Sequence, residues 1–124
     1  MGRPVFLDLT KIVLPYPAMV SIFHRVSGVG IFFSWPFILP IIDHMLNPKH
    51  FGAYTGFMLS GVFGRVFLWL IASAYLYHIC SGIRHFVDDW LGGQSLSGCV
   101  ISAKITLLVA GLLIAYAFYI MVVV

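Results

Sequence analysis

Hydrophobic residues fall in three long runs, 26–42, 66–83 and 105–124, and charged, proline and glycine residues collect between them. The first run is free of charge and closes at Asp43, the second lies between Arg65 and Arg84, and the third follows Lys104. Each is about 17 to 20 residues long, the length that crosses ~30 Å of hydrocarbon at ~1.5 Å per helical residue. Backbone groups in lipid must find their hydrogen bonds within the chain, so the runs read as helices and not as open strands. The pattern predicts an all-α membrane protein with transmembrane helices over about 21–43, 64–86 and 104–124. Pro36 and Pro40 each remove a backbone donor, so a kink or an early end is expected in the first helix.

The rest of the chain frames these spans. Residues 1–20, broken by Pro4, Pro15 and Pro17, read as an arm on the membrane surface or against a partner. Residues 43–64 form the first connection, with Asn47-Pro48 as its turn signal, and residues 85–103 form the second, with Gly92-Gly93 as its break. The whole chain, 1–124, is one membrane-anchor domain. Its composition is 61% hydrophobic and 9% charged, against about 25% charged in soluble domains, which does not fit a water-soluble monomer. There is no glutamate. The net charge of +3 sits at the ends of apolar runs, where membrane topology explains it better than nucleic acid does. Three spans put Arg3, Lys11, Arg25, Arg84 and Lys104 on one side and Lys49 and Arg65 on the other, so the amino terminus is expected in the cytoplasm and the carboxyl terminus outside. The first 20 residues lack the compact apolar core of a cleavable signal peptide. Cys80 and Cys99 match no zinc or haem-attachment spacing.

Chemistry enters at the polar residues inside or beside the runs. His78 lies six residues before Arg84, roughly 9 Å into the second helix, and an ionisable residue at that depth is a functional candidate. Neutral imidazole is a good axial ligand for haem iron; a hydrogen bond to a neighbouring helix is the plainer reading. Ala74, Tyr75, His78, Ser81, Gly82 and His85 share one helical face, where small residues admit a flat macrocycle or another helix. His85, two turns on, cannot reach the same iron on a straight helix, so the second ligand of a six-coordinate haem could come from another chain, which predicts a hetero-oligomer if haem is present. His24 and Arg25 stand at the mouth of the first helix, where they suit haem propionates, and Arg84 and His85 stand at the matching mouth of the second. Either arginine is equally readable as a snorkelling anchor. Ser21, one turn before Arg25, reads as a helix cap, a surface residue or a donor to a carbonyl ligand. Tyr75 and Tyr77 flank His78, Trp90 fits an aromatic interface belt, Ser27 and Gly28 read as small residues for close helix contact, and His44 and His50 carry no assignment.

RP at 3–4, Pro15, SIFHRVSG at 21–28 and YHICSGIRHFVDD at 77–89 together resemble the cytochrome b membrane-anchor subunits of succinate dehydrogenase, in their proteobacterial form. The likeness covers the arm and first two helices by motif and the third by hydrophobicity alone. It implies a haem b whose axial ligand is His78, with the opposite ligand from a second three-helix anchor subunit in a heteromeric bundle. It implies quinone binding at Ser21 and Arg25, propionate contacts at His24 and Arg25, and a place near them for Arg84 and His85. It further implies a bacterial inner-membrane complex with flavoprotein and iron–sulfur subunits, which hold the FAD and the clusters, with ubiquinone as substrate. This chain alone then has no catalytic residue. Alternatives are an anchor of a quinol:fumarate reductase and a haem-free structural anchor. A small multidrug-type transporter needs a membrane-embedded acid for proton coupling, and the three runs contain none.

Overall fold

The computed structural model describes residues 14–50, 52–90 and 95–124, and among them every regular element is helical. Helix α1 spans Tyr16–Leu46, α2 Ala53–Ser60, α3 Val62–Trp90 and α4 Leu96–Phe118, the last running on through a π turn at Tyr119–Val123. Three of these helices are long and apolar enough to cross a membrane. The chain is a multi-pass membrane protein.

The long helices overrun the apolar runs at both ends. α1 begins at Tyr16, with Pro15 as its cap and Pro17 in the first turn, where a missing donor costs nothing. The arm expected over 1–20 is therefore helical from Tyr16; its earlier part, with Arg3 and Lys11, lies outside the described residues. α3 continues to Trp90 instead of stopping near 86, and α4 starts at Leu96 instead of 104, capped by the Ser95 hydroxyl, which accepts from the Gly98 amide at 3.2 Å. The second connection thus shrinks to a few residues, Gly92 and Gly93 lying outside the described ones. α1 does not end early at its prolines: both sit inside the helix. Between the two prolines, the Phe37 carbonyl accepts from the Tyr54 hydroxyl of α2 at 3.2 Å, which ties α2 against that stretch. α2 itself falls inside the expected first connection. Gly64, near the start of α3, lies so close to the Phe57–Met58 backbone that a Cβ there would stand 2.5 Å from the Phe57 carbonyl, so only glycine fits.

α3 is the central element and packs on α1, α2 and α4, while α1 and α4 also touch. Their shared interior is small and polar. Among the described residues, the buried side chains are Ser27, Ser34, Thr55, Ser81, Arg84 and Thr106 against Val20, Met58, Ala103 and Ala110, with Gly64 also buried, while Phe32, Phe33, Leu70, Leu108 and Leu112 face outward. A soluble bundle has the opposite arrangement. In lipid, where tails are as apolar as leucine, helices gain from close approach and hydrogen bonds at small residues. Two of the buried hydroxyls bond within their own helices, Ser34 to the Ile31 carbonyl (2.7 Å) and Thr106 to the Ser102 carbonyl (2.9 Å). Between helices, the Trp69 indole donates to the Ile114 carbonyl at 3.0 Å and meets Phe118 edge-on at 5.0 Å. At the other end of the bundle, Lys104 lies 5.0 Å over the Tyr16 ring. A cation inside the third span is thereby held near the start of the first.

Candidate functional site

The amino-terminal half of α1 lies against the carboxyl-terminal half of α3. Two side chains of α3 clasp the turn that holds Ser21, His24 and Arg25. The Tyr77 hydroxyl donates to the Val20 carbonyl at 3.0 Å, just before Ser21. His78 Nδ1 lies 3.1 Å from the His24 carbonyl and 3.0 Å from Ser27 Oγ, and the Ser27 hydroxyl donates to the same carbonyl at 2.8 Å. Tyr77, marked in the sequence only as a neighbour of His78, is an interhelical tie.

This arrangement assigns the imidazole tautomer. A carbonyl oxygen can only accept, so the contact to His24 requires the proton on Nδ1. The Ser27 hydroxyl, already donating to that carbonyl, then receives the same N–H. Nε2 is left with its lone pair, and no described residue engages it. Metal-ligating histidines are commonly oriented in this way, with one ring nitrogen donating to a backbone carbonyl and the other presented to the metal.

His24 stacks on His78, with ring centroids 4.0 Å apart and planes 14° from parallel, and His85 stands 5.3 Å from His24 at a tilt. The structure thus brings all three histidines together, with His24 as the middle member. Gly28 and Gly82 make room: a Cβ on Gly28 would lie 3.1 Å from His78 Cε1, and one on Gly82 3.7 Å from His24 Nε2. The face of α3 that the sequence offered to a macrocycle or a helix has α1 beside it here. A group of three or more metal-ligating side chains is absent among the described residues; a haem takes one axial donor from each side of its plane, and His78 is a single donor with a free nitrogen. The residues present fit that role.

Ser21 and Arg25 lie one turn apart, well inside α1, so Ser21 is not a helix cap. Arg25 is exposed on the outside of the bundle and makes no ion pair among the described residues. It lies nine residues from the start of α1, roughly 14 Å along the axis, directly before the apolar run that opens at Val26.

Arg84 is not gathered into the histidine cluster. It is buried, pairs with Asp88 at 3.1 Å, and donates through Nε to Ser102 Oγ at 3.0 Å and through a terminal nitrogen to the Cys99 carbonyl at 3.4 Å. Its charge is spent on joining α3 to α4, which is neither a snorkelling anchor nor a donor beside His85. The Arg-x-x-x-Asp spacing of 84–88 held the signal for the ion pair.

Fold and site define a three-span membrane protein with a histidine cluster held between its first and second spans. A family model described as the succinate dehydrogenase/fumarate reductase transmembrane subunit matches residues 1–121, and the chain belongs to that family. It is 32% identical to a succinate dehydrogenase cytochrome b556 subunit of Coxiella burnetii over 93% of each chain. A subunit of the same description from Rickettsia felis is 29% identical, over 85% of this chain and 86% of its own. A succinate dehydrogenase cytochrome b560 subunit of Porphyra purpurea is 32% identical over 72% and 73%. The resemblance carried by SIFHRVSG and YHICSGIRHFVDD is borne out at the level of the family.

Proposed function

We propose that this chain is the haem b-binding anchor of a succinate:quinone oxidoreductase, and that it forms part of the site where ubiquinone is reduced. The observation that carries this reading is His78, with Nδ1 committed to the His24 carbonyl and Nε2 free. Nε2 would hold the haem iron from this chain, and a second three-helix anchor subunit would supply the other ligand. When bound, the haem supplies a one-electron carrier beside the quinone. His24 and Arg25 would bind its propionates, with His85 completing the histidine cluster.

Ser21 and Arg25 hold the quinone. The hydroxyl and the guanidinium donate to a carbonyl oxygen, and the permanent charge of Arg25 stabilises that oxygen as it becomes negative on reduction. Arg25 suits the task because it is exposed and unpaired among the described residues. Electrons come from succinate through flavoprotein and iron–sulfur subunits on the cytoplasmic side, where the amino terminus lies. The setting is the bacterial inner membrane. The family description covers fumarate reductases too; the relatives named above are all succinate dehydrogenase subunits, which favours succinate oxidation.

Purification through a tag on this chain, in mild detergent, tests the assignment. Flavin, non-haem iron, haem b and a second small helical subunit are expected to elute with it in fixed ratio. Elution of the chain without flavin and iron would refute its place in the complex.

A further inference from the structure

The structure assigns Ser27 and Gly28 as positioning residues for His78, so that the SG pair at the end of SIFHRVSG sets the orientation and basicity of the imidazole. The inference rests on the proposed role of His78 as an axial haem ligand. The Nδ1 proton has two acceptors, the His24 carbonyl at 3.1 Å and Ser27 Oγ at 3.0 Å, and the two are joined by the 2.8 Å bond from the Ser27 hydroxyl to the carbonyl. One acceptor alone leaves the ring free to swing about the single bond; two on the same helix turn define its plane. Gly28 limits the ring from the other direction, since its Cα presents hydrogen where a methyl would stand 3.1 Å from Cε1, closer than ordinary contact. His24 closes the third side by stacking at 4.0 Å. Ser27 is 9% exposed, so water is poorly placed to replace its oxygen.

Two acceptors on Nδ1–H make the ring more electron-rich and Nε2 a stronger donor, and such partners tune both affinity and potential. Removal of one is expected to favour the ferrous state and to loosen the haem.

The test uses the assembled complex purified from membranes. Ser27→Ala is expected to keep haem but weaken its retention about tenfold, raise its midpoint potential and alter the ferric low-spin EPR signal, which reports the orientation of the ligand plane. Ser27→Thr, which keeps the hydroxyl, is expected to restore both signals. Gly28→Ala is expected to change the EPR signal with the hydroxyl in place, and it decides the matter should Ser27→Ala fail to assemble. A potential and EPR signal unchanged in Ser27→Ala, or an EPR signal unchanged in Gly28→Ala, would overturn the assignment. His78→Leu separates the two levels: persistence of the haem signal there defeats the ligand role itself, while its loss together with an unchanged Ser27→Ala defeats only the positioning role.

Discussion

Arg25→Leu is expected to reduce succinate-driven ubiquinone reduction by about a hundredfold, the usual consequence of removing a preorganised donor from a developing oxyanion. Succinate oxidation coupled to an artificial dye, which draws electrons before the quinone, should survive in the same preparation. Arg25→Lys should recover only part of the activity, because a lysine keeps the charge but not the planar fork of donors. Ser21→Ala should cost less, about tenfold, as the loss of one neutral hydrogen bond of ~1 to 1.5 kcal/mol. The contrast with Arg84 makes the expectation specific. Arg84 is buried and bonded to Asp88, Ser102 and the Cys99 carbonyl, whereas Arg25 is exposed on α1 with no ion pair among the described residues. Ubiquinone reduction unchanged in Arg25→Leu would overturn the quinone role, whereas equal loss of quinone and dye activity would mean failed assembly.

Asp88→Ala should damage stability instead. It strands the Arg84 guanidinium in a position that is 8% exposed, and removing one partner of a buried ion pair costs about 3 to 5 kcal/mol. The detergent-solubilised complex should therefore lose its haem and quinone activity at a markedly lower temperature. Replacing both partners, as Arg84→Met with Asp88→Ala, should recover most of the loss, because no unpaired charge then remains. Asp88→Ala with unaltered thermal behaviour would show that the guanidinium reaches water, and that the α3–α4 joint does not depend on it.

The spans were legible because apolar length is set by the bilayer, and the family because two motifs lie in order on two of them. The helix ends were not. Hydropathy reports where lipid begins, while the backbone hydrogen bonds continue through Tyr16 at one end of α1 and Trp90 at the end of α3. Lys104 looked like the border of the third run, yet α4 begins at Leu96 and Lys104 sits inside it, its long side chain over the Tyr16 ring. The Ser95 cap was present as a residue but masked by the glycines before it. α2 lay hidden in a segment read as a connection.

The site was legible residue by residue and not as an assembly. His78 stood out by depth. That its Nδ1 meets Ser27, 51 residues away, depends on the register between α1 and α3, which hydropathy does not contain. For that reason Ser27 and Gly28 looked like mere spacers, and the tie from Tyr77 to α1 was not legible. His24 was placed near the propionates but not against the His78 ring, where it lies. Arg84 was grouped with His85 by adjacency in sequence, although successive helix positions point about 100° apart and its partner was one turn on at Asp88.

The central claim is that His78 is this chain's ligand to a haem. The most direct measurement is the reduced-minus-oxidised optical spectrum of the purified complex with leucine at position 78, taken beside the unaltered protein. The account predicts a b-type signal in the unaltered complex and its loss or conversion to a high-spin form in His78→Leu, with dye-coupled succinate oxidation retained. A full low-spin b-type signal in His78→Leu would contradict it.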